Sequence, residues 1–141
     1  MSAKELRTVT IHTDGAARGN PGKAGTGIVF YDENGSVVRE FGRFLGVTTN
    51  NIAEYTALLE ALQEAHSMGV KQVLVRSDSE LMVKQIRGEY RVKNAGLMPL
   101  FAEVRRALLR FPEWKIEHVP REKNGRADKL ANKSIDESTG E

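Results

Sequence analysis

The order in which the hydrophobic period changes along the chain constrains its fold most. Three strand-like segments come before any helical one. Val9 to Asp14 is rich in β-branched residues and ends at Asp14-Gly15, which reads as a strand. Gly27 to Tyr31 reads as a second, and Ser36 to Leu45, after the Asn34-Gly35 hairpin signal, as a third. The five glycines and one proline between Gly15 and Gly27 predict a turn-rich connection between the first two. The period then changes. Ile52, Tyr55, Leu58, Leu59, Leu62 and Ala65 recur at helical spacing. Capping residues Thr48-Thr49-Asn50-Asn51 open this helix and Gly69 stops it.

Strand and helix alternate after that. Gln72 to Ser77 carries the apolar run Val73-Leu74-Val75, which suits a strand covered on both faces. A short helix over Ser79 to Ile86, a loop over 91–96 and a helix over Leu97 to Phe111 follow. Trp114 to Val119 is the fifth strand, residues 120–125 a polar loop, and Arg126 to Ile135 the closing helix. The predicted class is α/β with a five-stranded mixed sheet, three strands antiparallel and two added in parallel, flanked by helices. At 141 residues one domain over 1–141 is expected, with 134–141 a flexible acidic tail.

Composition narrows the function classes. There is no cysteine, which removes disulfides and thiolate metal sites and suits a reducing, cytoplasmic setting. No apolar run approaches the ~20 residues of a membrane span, and Met1 to Leu6 is no signal peptide. No apolar stripe is left over, so a monomer is expected. Net charge is only +2. Set aside four acids for a metal site and the acids of the tail (Asp136, Glu137, Glu141), and 21 bases face 12 acids. Such a body suits a polyanionic partner. Ordinary surface lysine and arginine would give the same count.

Four acids sit where strands end and helices begin. Asp14 and Asp78 close the first and fourth strands; Glu54 and Asp128 lie in the first turns of two helices. Ligand sites in open α/β sheets lie beyond the carboxyl ends of strands, so parallel neighbours would turn Asp14 and Asp78 into one crevice. Clustered carboxylates raise one another's pKa, and divalent cations relieve that repulsion. Oxygen ligands select Mg²⁺ or Mn²⁺, and two such ions support phosphoryl displacement. Each acid also has a plain structural reading. Asp14-Gly15 could be a turn and Asp78-Ser79 a helix cap. Glu54 and Asp128 could be first-turn acids favoured by the helix dipole.

The surrounding residues match a family pattern. Thr13-Asp14-Gly15-Ala16-Ala17-Arg18-Gly19-Asn20-Pro21-Gly22, Thr49-Asn50-Asn51-Ile52-Ala53-Glu54, Ser77-Asp78-Ser79 and Asn124-Gly125-Arg126-Ala127-Asp128-Lys129-Leu130-Ala131 occur in order. On these four motifs the chain resembles type 1 ribonuclease H over nearly its whole length. The resemblance implies hydrolysis of the RNA strand of an RNA–DNA hybrid with two Mg²⁺ ions, or Mn²⁺ in their place, leaving 5′-phosphate and 3′-hydroxyl ends. It implies metal binding and catalysis by Asp14, Glu54, Asp78 and Asp128. It implies substrate contacts at Gly15, Ala16, Ala17, Asn20, Thr49, Asn50, Asn51, Ser79 and Glu80. For Asn50 and Asn51, helix capping is the rival reading. Other outcomes left open are cleavage of double-stranded RNA as well, and a non-catalytic hybrid-binding module.

Three departures from the family pattern stand out. Many members carry a histidine in the loop before the last acid; here it is Pro120-Arg121-Glu122-Lys123-Asn124. Glu122, or Arg121, is the expected catalytic stand-in, and His118 is expected to pack or face solvent. The basic helical protrusion of some members is absent; Gly88 to Gly96 is brief, with Arg87, Arg91 and Lys93 nearby and Tyr90 free to stack or pack. Glu80 stands where some members have glutamine. The initial Met1 and the closing helix suggest a stand-alone enzyme.

Overall fold

β1 (Thr8–Gly19) is the hub of a sheet ordered β3-β2-β1-β4-β5. A computed structural model describes residues 6–138. β1 pairs antiparallel with β2 (Gly22–Tyr31), and β2 with β3 (Val37–Thr48). On its other edge β1 runs parallel to β4 (Gln72–Ser77), which runs parallel to β5 (Glu113–His118). The helices are α1 (Asn50–Ser67), α2 (Glu80–Ile86), α3 (Met98–Leu108) and α4 (Gly125–Ser138). This is the expected mixed α/β architecture.

The strand period sorts the two faces. Val9, Ile11, Ile28, Phe30, Val73 and Val75 point into one core, where they meet Tyr55, Leu58 and Leu62 of α1 and Val104 and Leu108 of α3. Burying so much apolar surface, at about 25 cal/mol per Å², is the main stabilising term. Tyr55 is buried, and its hydroxyl donates to Gln85 Oε1 at 2.7 Å, so neither polar group is left unpaired. Val29 points the other way, and α4 covers that face with Ala127, Ala131 and Ile135, all buried.

Three expectations need correction. The stretch from Gly15 to Gly27 is mostly strand; the connection shrinks to Asn20-Pro21 between Gly19 and Gly22. Its glycines are there for close packing. A Cβ on Gly25 would overlap Ser134 Oγ and the Ala131 carbonyl, and one on Gly27 the Ala127 carbonyl. Sequence reading treats glycine as a breaker, but here α4 lies so near β2 that only hydrogen fits. Second, residues 134–138 are not a loose tail. α4 continues through Ser138, Ile135 is buried, and Arg18 Nη1 donates to Asp136 Oδ1 at 2.6 Å. The remainder of the proposed tail, 139–141, lies outside the described residues. Third, β4 is covered on one side only, and Leu74 is half-buried.

Gly27→Ala should therefore force α4 off the sheet. The expected loss is about 3 kcal/mol, the upper range for overpacking a core, read as a thermal midpoint lower by roughly 10 °C. An unchanged midpoint would show that α4 does not sit this close.

Candidate active site

The parallel register of β1 and β4 builds the site. Thr13 is paired with Ser77, so Asp14 and Asp78 follow side by side at the carboxyl ends of neighbouring strands. α1 brings the third acid. Thr49 is its N-cap, with Oγ1 accepting from Ile52 N at 3.2 Å. Capping thus falls to Thr49, while Asn50 accepts from Ala17 N at 3.1 Å through Oδ1 and ties the helix to β1. Asn50 N in turn donates to Asn20 Oδ1 at 3.1 Å. Gly15 N donates to Glu54 Oε1 at 3.0 Å. A Cβ on Gly15 would run into the backbone of Ala53 and Glu54, so glycine lets α1 approach.

Asp14, Glu54 and Asp78 each place a carboxylate oxygen within 4.8 Å of the others. Asp14 is only 5% exposed. Asp128, in the first turn of α4, lines the same cleft and its charge acts on Asp14, but it is not one of the three acids whose oxygens lie within 4.8 Å of one another. Burial pushes the Asp14 carboxyl up to about 9, helped by the charges of Glu54, Asp78 and Asp128. Burial and the charge of Asp78 raise Glu54 to about 8, against the Gly15 hydrogen bond and the Arg121 charge. Asp78 is also raised by burial, opposed by Asn124 and Arg121. Packing acids this way is unfavourable without a compensating cation.

The acids open onto a cleft of about 450 Å³. Gly15, Ala16, Ala17, Asn50, Asn51 and Ser79 line it. Asn20, Thr49 and Glu80 do not line it: the first two brace the α1 entry, and Glu80 is exposed with Lys84 Nζ 3.4 Å away. Glu122 does not reach the acids either. The 3-10 turn Arg121–Lys123 aims it at another surface, beside Arg126 and Lys129, while Arg121 lines the cleft. His118 is exposed at the end of β5, and Tyr90 is 52% exposed with Lys84 Nζ over its ring, 5.0 Å from the centroid.

Asn124 was passed over as a site residue although it stands in the fourth motif. It is fully buried, and its Nδ2 donates to the Thr13 carbonyl at 2.9 Å and to Asp78 Oδ2 at 3.4 Å. Its own carbonyl accepts from Asp128 N at 3.1 Å. The side chain thus ties β1 to the end of β4, while the backbone carbonyl holds the start of α4. Asn132 was missed too; its Nδ2 donates to Asp128 Oδ1 at 3.3 Å. Its i+4 spacing from Asp128 was the signal available.

A family profile described as reverse transcriptase-like matches residues 12–134. "Ribonuclease H" of Pseudomonas entomophila is 34% identical over 145 aligned positions, covering 92% of this chain and 95% of that protein. The chain belongs to the ribonuclease H family. "Ribonuclease HI" of Halobacterium salinarum is 42% identical, covering 92% of this chain and 65% of that protein. "Bifunctional protein Rv2228c" of Mycobacterium tuberculosis is 38% identical, with 35% of its length covered. The chain therefore spans less than two thirds of these two relatives. Among solved structures, RNase H1 of H. salinarum superposes with a TM-score of 0.90 at 42% identity, covering 92% of this chain and 98% of that one. LC11-RNase H1 in complex with an RNA/DNA hybrid gives 0.89 at 44% identity, covering 93% and 99%. The ribonuclease H fold is thus shared over the whole described sheet.

The raised carboxyls carry a consequence for stability. In the unfolded chain Asp14 and Glu54 ionise near their ordinary values; folded, they keep protons to about 9 and about 8. A raised carboxyl contributes stability at low pH that is lost as pH rises from the ordinary value through the folded one. The metal-free protein should lose stability between about pH 4 and pH 9. Asp14→Asn should be more stable than wild type at pH 8 in EDTA by about 2 kcal/mol. Saturating Mg²⁺ should raise the wild-type midpoint and barely move the variant. Thermal scans in EDTA and Mg²⁺ across pH test this; a destabilised Asp14→Asn at pH 8 would contradict it.

Proposed function

We propose that the protein is a metal-dependent endonuclease that hydrolyses the RNA strand of RNA–DNA hybrids. The observation that carries this reading is the Asp14–Glu54–Asp78 cluster, set at the head of a cleft in a ribonuclease H fold. The neighbour solved with an RNA/DNA hybrid supports the choice of substrate.

The donor set fits Mg²⁺ or Mn²⁺. It offers carboxylate oxygens only, Asp14 buried and Glu54 and Asp78 partly so, and these carboxyls are raised by burial and then by one another's charge, which is the condition a hard divalent cation relieves. Asp14, Glu54 and Asp78 would hold it, with Asp128 completing a second position. Bound ions would supply an activated water and stabilise the leaving oxygen, giving 5′-phosphate and 3′-hydroxyl ends.

The protein's own groups do the rest. Asn124 and Gly15 fix the acids before substrate arrives, so little reorganisation remains. Arg121 brings a cationic side chain from the loop into the cleft near Glu54 and Asp78, where it can meet negative charge developing on phosphate. It, and not Glu122, reaches the cleft from the loop in which other members carry a histidine. Asn50 spends its carbonyl on Ala17 and leaves its NH₂ for the substrate. With Asn51 and Ser79 it offers donors suited to minor-groove base edges and ribose 2′-hydroxyls. Small residues at Gly15, Ala16 and Ala17 let the RNA backbone come close to β1.

Asp14→Asn should lower kcat on a labelled hybrid by at least about 1,000-fold while leaving hybrid affinity within about threefold. Single-turnover cleavage and equilibrium binding separate the two quantities. A variant that cuts at the wild-type rate removes Asp14 from the chemistry. Parallel assays on double-stranded RNA decide whether hybrids are the sole substrate.

A further inference from the structure

Arg18 is the cation that this reading leaves unused. It follows Ala17 on β1 and lines the far end of the cleft. Its guanidinium is turned onto α4: Nη1 donates to Asp136 Oδ1 at 2.6 Å, and Nη2 to Asn132 O at 3.3 Å and Oδ1 at 3.2 Å. Asp136 itself lies outside the cleft lining, and both side chains of the pair are exposed, 45% and 59%. The arrangement has a cleft side and a parked side.

Magnitudes decide what the pair is for. An exposed ion pair contributes little to stability, so breaking it changes the folding equilibrium by about fivefold or less. A guanidinium on phosphate makes two parallel charge-assisted hydrogen bonds and displaces condensed counterions from the nucleic acid. Exchanging Asp136 for phosphate is therefore favourable once a polyanion fills the cleft. We infer that Arg18 forms a phosphate-binding subsite at the β1–β2 end of the cleft, masked in the free protein by Asp136. The ligand is a backbone phosphate of the hybrid, one or more nucleotides from the acids. Asn132, which donates to Asp128 Oδ1, holds the second guanidinium nitrogen and keeps Arg18 beside the cleft while it waits. The inference rests on the proposed nuclease function.

Masking and structural bracing predict opposite signs for the two partners. A brace is lost equally from either side, so Arg18→Ala and Asp136→Asn would weaken binding together. A masked cation is lost in Arg18→Ala and released in Asp136→Asn. The test is anisotropy of a labelled RNA–DNA hybrid in EDTA over a range of salt, with KM and kcat in Mg²⁺ alongside. Arg18→Ala should weaken binding about tenfold and flatten the log–log salt slope by about 1, raising KM more than it lowers kcat. Arg18→Lys should recover most of the salt slope and part of the affinity. Asp136→Asn should tighten binding about two- to fivefold, the weight of an exposed pair. In the Arg18→Ala background it should do no more than Glu137→Gln, which removes a neighbouring acid charge.

Weakening by both single variants, or an equal effect of Asp136→Asn with and without Arg18, overturns the subsite while hybrid cleavage stands. A wild-type protein that neither binds nor cuts hybrid overturns the nuclease reading, and the subsite with it.

Discussion

The repulsion among closely packed, partly buried carboxylates is the constraint around which this molecule is organised. Asp14, Glu54 and Asp78 present oxygens within 4.8 Å of one another, and among the described residues that line their cleft the cations are Arg18 and Arg121, with no lysine. Left ionised and unpaired, such a group would expel at least one member into solvent. The fold instead holds each acid from behind. Register fixes Asp14 beside Asp78, Gly15 N–H holds Glu54, and Asn124 and Asn132 hold Asp78 and Asp128. The hydrogen bonds are local and the elements that carry them are far apart in sequence.

Two close approaches make that convergence possible. α1 comes down on β1 at Gly15, and α4 on β2 at Gly25 and Gly27. Each contact has backbone where a methyl group would otherwise sit. The same glycines that look like chain breakers thus set the distance between the strands that carry Asp14 and Asp78 and the helices that carry Glu54 and Asp128. Stability and chemistry share these positions, because a helix displaced by an ångström carries its carboxylate with it. Ion pairs at the rim, such as Arg126 with Glu40 at 2.7 Å and Arg43 with Glu60, orient α4 and the α1–β3 contact without carrying the core.

Much of this was legible in the sequence. Three early strand-like segments followed by alternating helix and strand pointed to the mixed sheet. Asp14 and Asp78 at strand ends pointed to one crevice, and four motifs in order pointed to the family. What stayed hidden depended on distance between elements. Gly25 and Gly27 read as a turn because nothing local records that α4 lies against them. Ile135 marks the closing helix, but only packing shows that the helix runs on past it to Asp136 and Ser138. Glu122 and Arg121 are neighbours in sequence, and only the 3-10 turn sends Arg121 to the cleft and Glu122 to another surface. Arg18 and Asp136 are 118 positions apart, so no spacing rule joins them.

The role proposed for the carboxylate cluster is to hold divalent metal for cutting the RNA strand of a hybrid. One measurement addresses it directly: cleavage of a hybrid carrying a different label on each strand, in EDTA and across a Mg²⁺ titration. Expected are no cleavage in EDTA, saturable Mg²⁺-dependent cutting of the RNA strand, 5′-phosphate products and an intact DNA strand. Metal-independent cutting, or equal cutting of both strands, would contradict it.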